Sequence, residues 1–96
     1  MMINAKYVKG NMAIQKAFYA EGRIAIKLED AETHAPWCVA TVNIPEYDLK
    51  EGHVFLKGWS ENEGVPEELD RLGVVELTGR KVQTGFVYAQ EAKLLI

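Results

Sequence analysis

Alternation of apolar and polar positions is clearest in Arg23-Ile24-Ala25-Ile26-Lys27-Leu28, where Ile24, Ile26 and Leu28 face one way and Arg23, Lys27 and Glu29 the other. That pattern predicts a strand with one buried face. Met12 to Tyr19 is also strand-like, and Ala20-Glu21-Gly22 between the two runs predicts a hairpin turn. A short strand around Lys6 to Val8 is expected before it. After a polar loop from Asp30 to Pro36, Cys38, Ala40, Val42 and Ile44 alternate with Val39, Thr41 and Asn43, which predicts a central strand ended by Pro45. Val54 and Leu56 mark a further strand, with Phe55 on its other face.

Helical spacing occurs once. Val65, Leu69 and Leu72 recur at i, i+4, i+7, and Gly73 is placed to end the helix. Ser60 and Glu63 read as a capping box, whereas Pro66 prefers the first helical turn and biases Val65 away from helix, so regular helix is expected mainly from Pro66 to Leu72. Beyond it, Val74 to Leu77 and Gly85 to Tyr88 predict short strands around a polar loop from Thr78 to Thr84, and Lys93 to Ile96 offers a last strand. One helix among five to seven strands, without β-α-β alternation, predicts an α+β fold in which an antiparallel sheet carries a short helix on one face.

Length bounds this architecture to a single domain spanning residues 1–96. The chain is 48% hydrophobic and 26% charged, the balance of an ordinary folded globule. Cys38 is the only cysteine, which excludes an internal disulfide and a cysteine-based zinc site, and fits a reducing compartment. Met1 to Ala5 lacks the character of a secretory signal, and no apolar run approaches the ~20 residues of a membrane span. A cytoplasmic location without membrane association is the expectation.

Charge is distributed unevenly. Residues 1–28 carry five basic and one acidic side chain, residues 29–76 three basic and twelve acidic, and residues 77–96 three basic and one acidic. A protein that grips nucleic-acid phosphates is usually basic overall, so the net charge of -3 argues against direct nucleic-acid binding. The acidic middle is instead a candidate surface. Glu61, Glu63, Glu67, Glu68 and Asp70 gather around the helix with Arg71 the only basic neighbour in sequence. A solvated face with acids near a helix N-terminus accounts for this run; so does a surface that meets a basic partner, with Trp59 as its apolar anchor and Asn62 as a polar contact.

Catalytic chemistry finds little to build on. The eight glycines are never closer than six residues, so neither a dinucleotide fingerprint nor a phosphate loop can be written. Gly58-Trp59-Ser60-Glu61-Asn62 comes within one residue of a nucleophile elbow, but Asn62 replaces the second glycine and Ser60 reads better as a helix cap. His34 and His53 lack metal-ligand spacing, and Cys38 alternates with apolar residues where an inert packed thiol is expected. No cofactor is expected. A small-ligand pocket is the alternative: Trp59, Arg80, Lys81 and Phe86 are the residue types that recognise a phosphate and a base. The exposed edges of an antiparallel sheet also allow a homodimer.

Arg23 to Leu28, Ala40 to Pro45, the block Lys57-Gly58-Trp59-Ser60-Glu61-Asn62-Glu63-Gly64, and Thr78-Gly79-Arg80 followed by Thr84-Gly85-Phe86-Val87 stand in an order that resembles a family of small uncharacterised proteins encoded by phages, plasmids and other bacterial mobile elements. The resemblance runs from Gly22 to Leu95, and departs at Pro66, where the family continues with good helix formers. It implies a mobile-element setting inside a bacterial host. Small acidic proteins of that setting often block a host defence complex, CRISPR effectors included, which makes a non-enzymatic, anti-CRISPR-like inhibitor of a host protein the leading functional expectation.

Overall fold

The structure is a computed structural model that describes residues 1–96. Its first sheet joins four antiparallel strands in the order β1 (Met2–Asn4), β2 (Lys9–Phe18), β3 (Ile24–Asp30) and β4 (Pro36–Val39). The second is three-stranded, with β7 (Val87–Leu94) between β5 (His53–Leu56) and β6 (Val75–Thr84). One helix, α1 (Val65–Arg71), follows a 3-10 turn at Ser60–Asn62. The fold is therefore α+β, with seven strands in two sheets where the sequence pattern predicts one sheet.

The β2–β3 hairpin forms as predicted, because the alternation in β3 leaves only one way to bury it. Ile26 and Leu28 are buried, Ile24 packs at the core edge, and Phe18 pairs with Ile24 next to the turn. Gly22 sits there at φ 99°, a conformation that a side chain strongly disfavours.

The predicted central strand from Cys38 to Ile44 is broken. After β4, Ala40 donates to the Ile26 carbonyl at 2.8 Å but accepts from the Lys57 amide at 2.8 Å, and the Val42 amide reaches the Phe55 carbonyl at 3.0 Å. This short segment changes sheets, and a bridge between Thr41 and Leu56 ties the two together. β4 also begins at Pro36, which the sequence places in the loop. Proline is tolerated at the first position of a strand, where its missing amide takes nothing from the ladder.

Two further expectations are corrected. The N-terminal strand lies at Met2–Asn4 rather than Lys6 to Val8: Met2 to Asn4 pair with Lys9 to Asn11, while Lys6 and Tyr7 stay exposed and Val8 alone of the expected strand reaches the core. The polar stretch from Thr78 to Thr84 is not a loop but part of β6, which pairs with β7 down to a two-residue turn at Gly85 and Phe86. Five of the seven residues from Thr78 to Thr84 face solvent, so no alternation marks the strand in sequence. Its glycine at φ 62° takes the first central position, the one a type II′ turn gives to glycine.

The helix closes the main core. Val65 and Leu69 are buried with Ile3, Leu28, Val74 and Val75, and each fully buried aliphatic side chain contributes roughly 1.5–3 kcal/mol. Gly73 ends the helix as predicted. Its amide donates to the Asp70 carbonyl at 3.1 Å and the Val74 amide to the Leu69 carbonyl at 3.0 Å, the paired bonds of a Schellman motif, with Gly73 at φ 74°. The predicted capping box does not form. Gly64, at φ 84°, precedes the helix, and Ser60 stands in the 3-10 turn at φ 54°.

A smaller core of Ile44, Phe55, Val82 and Ala89 lies on the other face of the second sheet, covered by the loop that carries Tyr47 and Leu49. Arg23 holds that loop down, donating to the carbonyls of Ile44 at 2.8 Å and Tyr47 at 2.6 Å.

Candidate functional site

The acidic segment enters the structure as a 3-10 turn plus a two-turn helix, so its side chains radiate in different directions. Glu61 and Glu63 border a depression of about 410 Å3 that Tyr7 and Ser60 complete. Both carboxylates stand well into solvent, with side chains 58% and 56% exposed. Glu61 accepts from Lys57 at 2.9 Å, and Glu63 pairs with Lys6 at 3.2 Å. The hydrogen bond from Lys57 holds the Glu61 carboxyl below its ordinary range, and the bond to Glu63 raises the Lys6 ammonium.

Glu68 points elsewhere. It accepts two bonds from Arg71, at 2.8 and 2.9 Å, and one from the Asn4 amide at 2.9 Å. Arg71, and after it the Asn4 amide, hold its carboxyl down at about 2. Such a residue fastens the helix to β1 and has little left for a partner. Glu67 turns toward β7 and accepts from Gln90 at 2.8 Å, and the carboxylate of Asp70 carries no ion pair. Of the five acids, Glu67 and Asp70 alone lack a cationic neighbour. The predicted patch is thus divided, with Glu61 and Glu63 together and the others spread around the helix.

Two of the predicted contact residues prove structural. Asn62 is fully buried, its Nδ2 donating to the Val39 carbonyl at 2.8 Å while its Oδ1 has no partner. It cannot touch another molecule, and its work is to pin the segment to β4. Trp59 is half-buried against the smaller core, with the Lys57 ammonium 6.0 Å from its ring centroid, rather than standing free as an anchor. The aromatic ring that does reach the depression is Tyr7, whose exposure no local pattern marks.

The alternative ligand set does not assemble either. Phe86 is fully exposed at the β6–β7 turn, while Arg80 lies four strand residues back from the end of β6, roughly 13 Å along an extended chain. Lys81 is exposed beside Gln90 in the ladder, and Trp59 packs with Val82 and Ala89 on the smaller core. Arg80 alone of the four lines a depression, together with Asp48, Leu49, Lys50 and Glu91, about 450 Å3 in volume.

Cys38 and the histidines lack the arrangement of a nucleophile and its base. Burial, with the charge of Glu61 behind it, pushes the Cys38 thiol up to about 11, so thiolate is scarce near neutrality. His34 meets Glu29 at 3.1 Å and His53 the Glu51 carbonyl at 3.2 Å; neither bonds Cys38 or Ser60. No group of three or more histidine, cysteine or acidic side chains is placed to hold a metal ion. No helix is long and apolar enough to cross a membrane. A third depression, about 300 Å3, lies on the first sheet beside the half-exposed Trp37, which sequence reasoning also passed over.

Comparison with protein-family models, curated proteins and solved structures finds no match to this chain.

Proposed function

We propose that the protein is a non-enzymatic binding module that docks a basic segment of another protein into the depression bordered by Tyr7, Ser60, Glu61 and Glu63. The observation that carries this reading is the joint placement there of an exposed aromatic ring and two solvent-facing carboxylates. The ring offers apolar area, and the carboxylates give orientation and a faster encounter with a positively charged partner.

Existing ion pairs do not block the surface. Lys6 and Lys57 are point charges on flexible stems, and the carboxylates they meet stand in water, where such pairs add little net stability. An arginine of a partner, presenting its planar fork, can displace either lysine and bond a carboxylate through two parallel hydrogen bonds. Backbone strain at Ser60, a non-glycine residue at φ 54°, falls within the same depression, and such strain concentrates at recognition sites.

The class of partner follows from the resemblance to mobile-element proteins. A host protein or defence complex is the proposed target, with inhibition by occupying a surface that its own ligand needs. Affinity capture from a bacterial lysate tests this reading with the wild type and the double variant Glu61→Lys/Glu63→Lys. The variant is expected to fold normally and to lose a partner that the wild type retains. Equal recovery of every captured protein by the two, or no captured protein at all, rejects the proposed surface.

A further inference from the structure

β6 contains an irregularity in its ladder with β7. Between the pairs Leu77–Ala92 and Lys81–Gln90, three residues of β6 stand opposite the single residue Glu91, and Gly79 takes φ 88° to allow it. The bulge turns Thr78 and Arg80 toward Glu91, which is only 8% exposed. The Thr78 hydroxyl donates to Glu91 Oε1 at 2.7 Å, and Arg80 Nη1 donates to Oε2 at 3.1 Å. Burial pushes the Glu91 carboxyl up, but Thr78 and Arg80, with the charges of Arg80 and His53, outweigh it and hold the group below its ordinary value.

Arg80 is restrained on three sides. Besides Glu91, its Nη1 donates to the Asp48 carbonyl at 2.9 Å, and its guanidinium carbon lies 5.6 Å from the Phe55 ring centroid. Both hydrogens of Nη1 are consumed by these bonds. Nε and Nη2 have no partner, and together they form the side-on fork whose spacing matches two oxygens of one anion. Arg80 lines the depression of about 450 Å3 with Lys50, a second cation, and Leu49, an apolar wall. The acids there are Asp48 and Glu91, and Glu91 already has both oxygens engaged.

We infer that this depression binds a small organic anion through a phosphate or carboxylate group, gripped by the Nε and Nη2 fork of Arg80 and by Lys50. Glu91 and Thr78 act as positioning residues, because a guanidinium fixed in advance loses little freedom when the anion arrives. Glu91 is buried but Arg80 stays 41% exposed, so the pair adds little stability by itself, and a bulge that re-aims a side chain is a usual companion of a binding site, so the arrangement makes most sense as preparation for a ligand. The inference is independent of the proposed docking surface, since the two depressions share no residue.

The test is a titration of the isotope-labelled protein with inorganic phosphate, adenosine monophosphate and acetate at low ionic strength, followed by amide chemical shifts. Saturable shifts at Asp48 to Lys50 and at Arg80 are expected, and the stronger of phosphate and acetate identifies the group. Arg80→Lys keeps the charge but loses the fork, and should weaken binding roughly tenfold, the loss of about one charge-assisted bond. Lys50→Ala leaves the Glu91 bonds untouched, so it stays interpretable if the arginine variant unfolds, and a weakening of about threefold is expected. Absence of saturable shifts at these residues with all three anions, or binding by Lys50→Ala indistinguishable from the wild type, overturns the inference.

Discussion

Replacing the fully buried Asn62 with alanine withdraws the donor that meets the part-buried Val39 carbonyl at 2.8 Å. A lost hydrogen bond and a part-buried acceptor left without its donor cost about 1–3 kcal/mol. Part is recovered because the unpaired Oδ1 leaves with the amide, so a net loss of about 1–2 kcal/mol is expected. In a domain of this size each kcal/mol moves Tm by roughly 4–8 °C, which circular dichroism melts resolve easily. Asn62→Asp sharpens the test. At neutral pH a buried carboxylate would face the Val39 carbonyl with no counter-charge, a loss of roughly 3 kcal/mol or more. Its folded pKa would lie above the unfolded value of about 3.9, so the charge penalty is absent below that value and grows as pH rises toward the folded pKa. The deficit of the aspartate variant should therefore shrink between pH 7 and pH 4, as the protonated acid again donates to Val39. An alanine variant within about 0.5 kcal/mol of wild type, or an aspartate deficit flat with pH, refutes the anchoring role of this side chain.

Other outcomes follow from the ionisable groups. Glu68 is held at about 2, so the stability it contributes is present above the unfolded glutamate value of about 4.3 and is lost as pH falls toward 2. Urea midpoints of Glu68→Gln should accordingly fall less steeply than those of the wild type across that window, and parallel acid limbs would dismiss the bond to Arg71 and Asn4 as a stabilising contact. Cys38, pushed up to about 11, should alkylate with iodoacetamide at pH 8 at least ~10-fold more slowly in the folded protein than in urea. Equal rates in the two states would show that the thiol is not shielded.

Local pattern and tertiary context divided the determination of this protein along physical lines. The β2–β3 hairpin, the helix expected from Pro66 to Leu72 and found one residue earlier at Val65–Arg71, and its Gly73 stop were legible because each depends on neighbours in sequence: alternation, i to i+4 spacing, and a residue able to adopt positive φ. Where both faces of a strand meet solvent or both are covered, that signal vanishes. The exposed Thr78–Thr84 half of β6 read as a loop for this reason, and the switch of Ala40–Val42 between sheets left no trace in an unbroken apolar alternation. The site was less legible than the fold. Composition placed the negative charge around residues 61–70, but the directions of Glu67 and Glu68, the burial of Asn62, and the meeting of Tyr7 with Glu61 and Glu63 depend on how the helix is docked between β1 and the second sheet. The same holds for Arg80 and Glu91, which a bulge brings together across the ladder. Periodicity reports which residues leave water; which of them share a surface is set by long-range packing, which no local window contains.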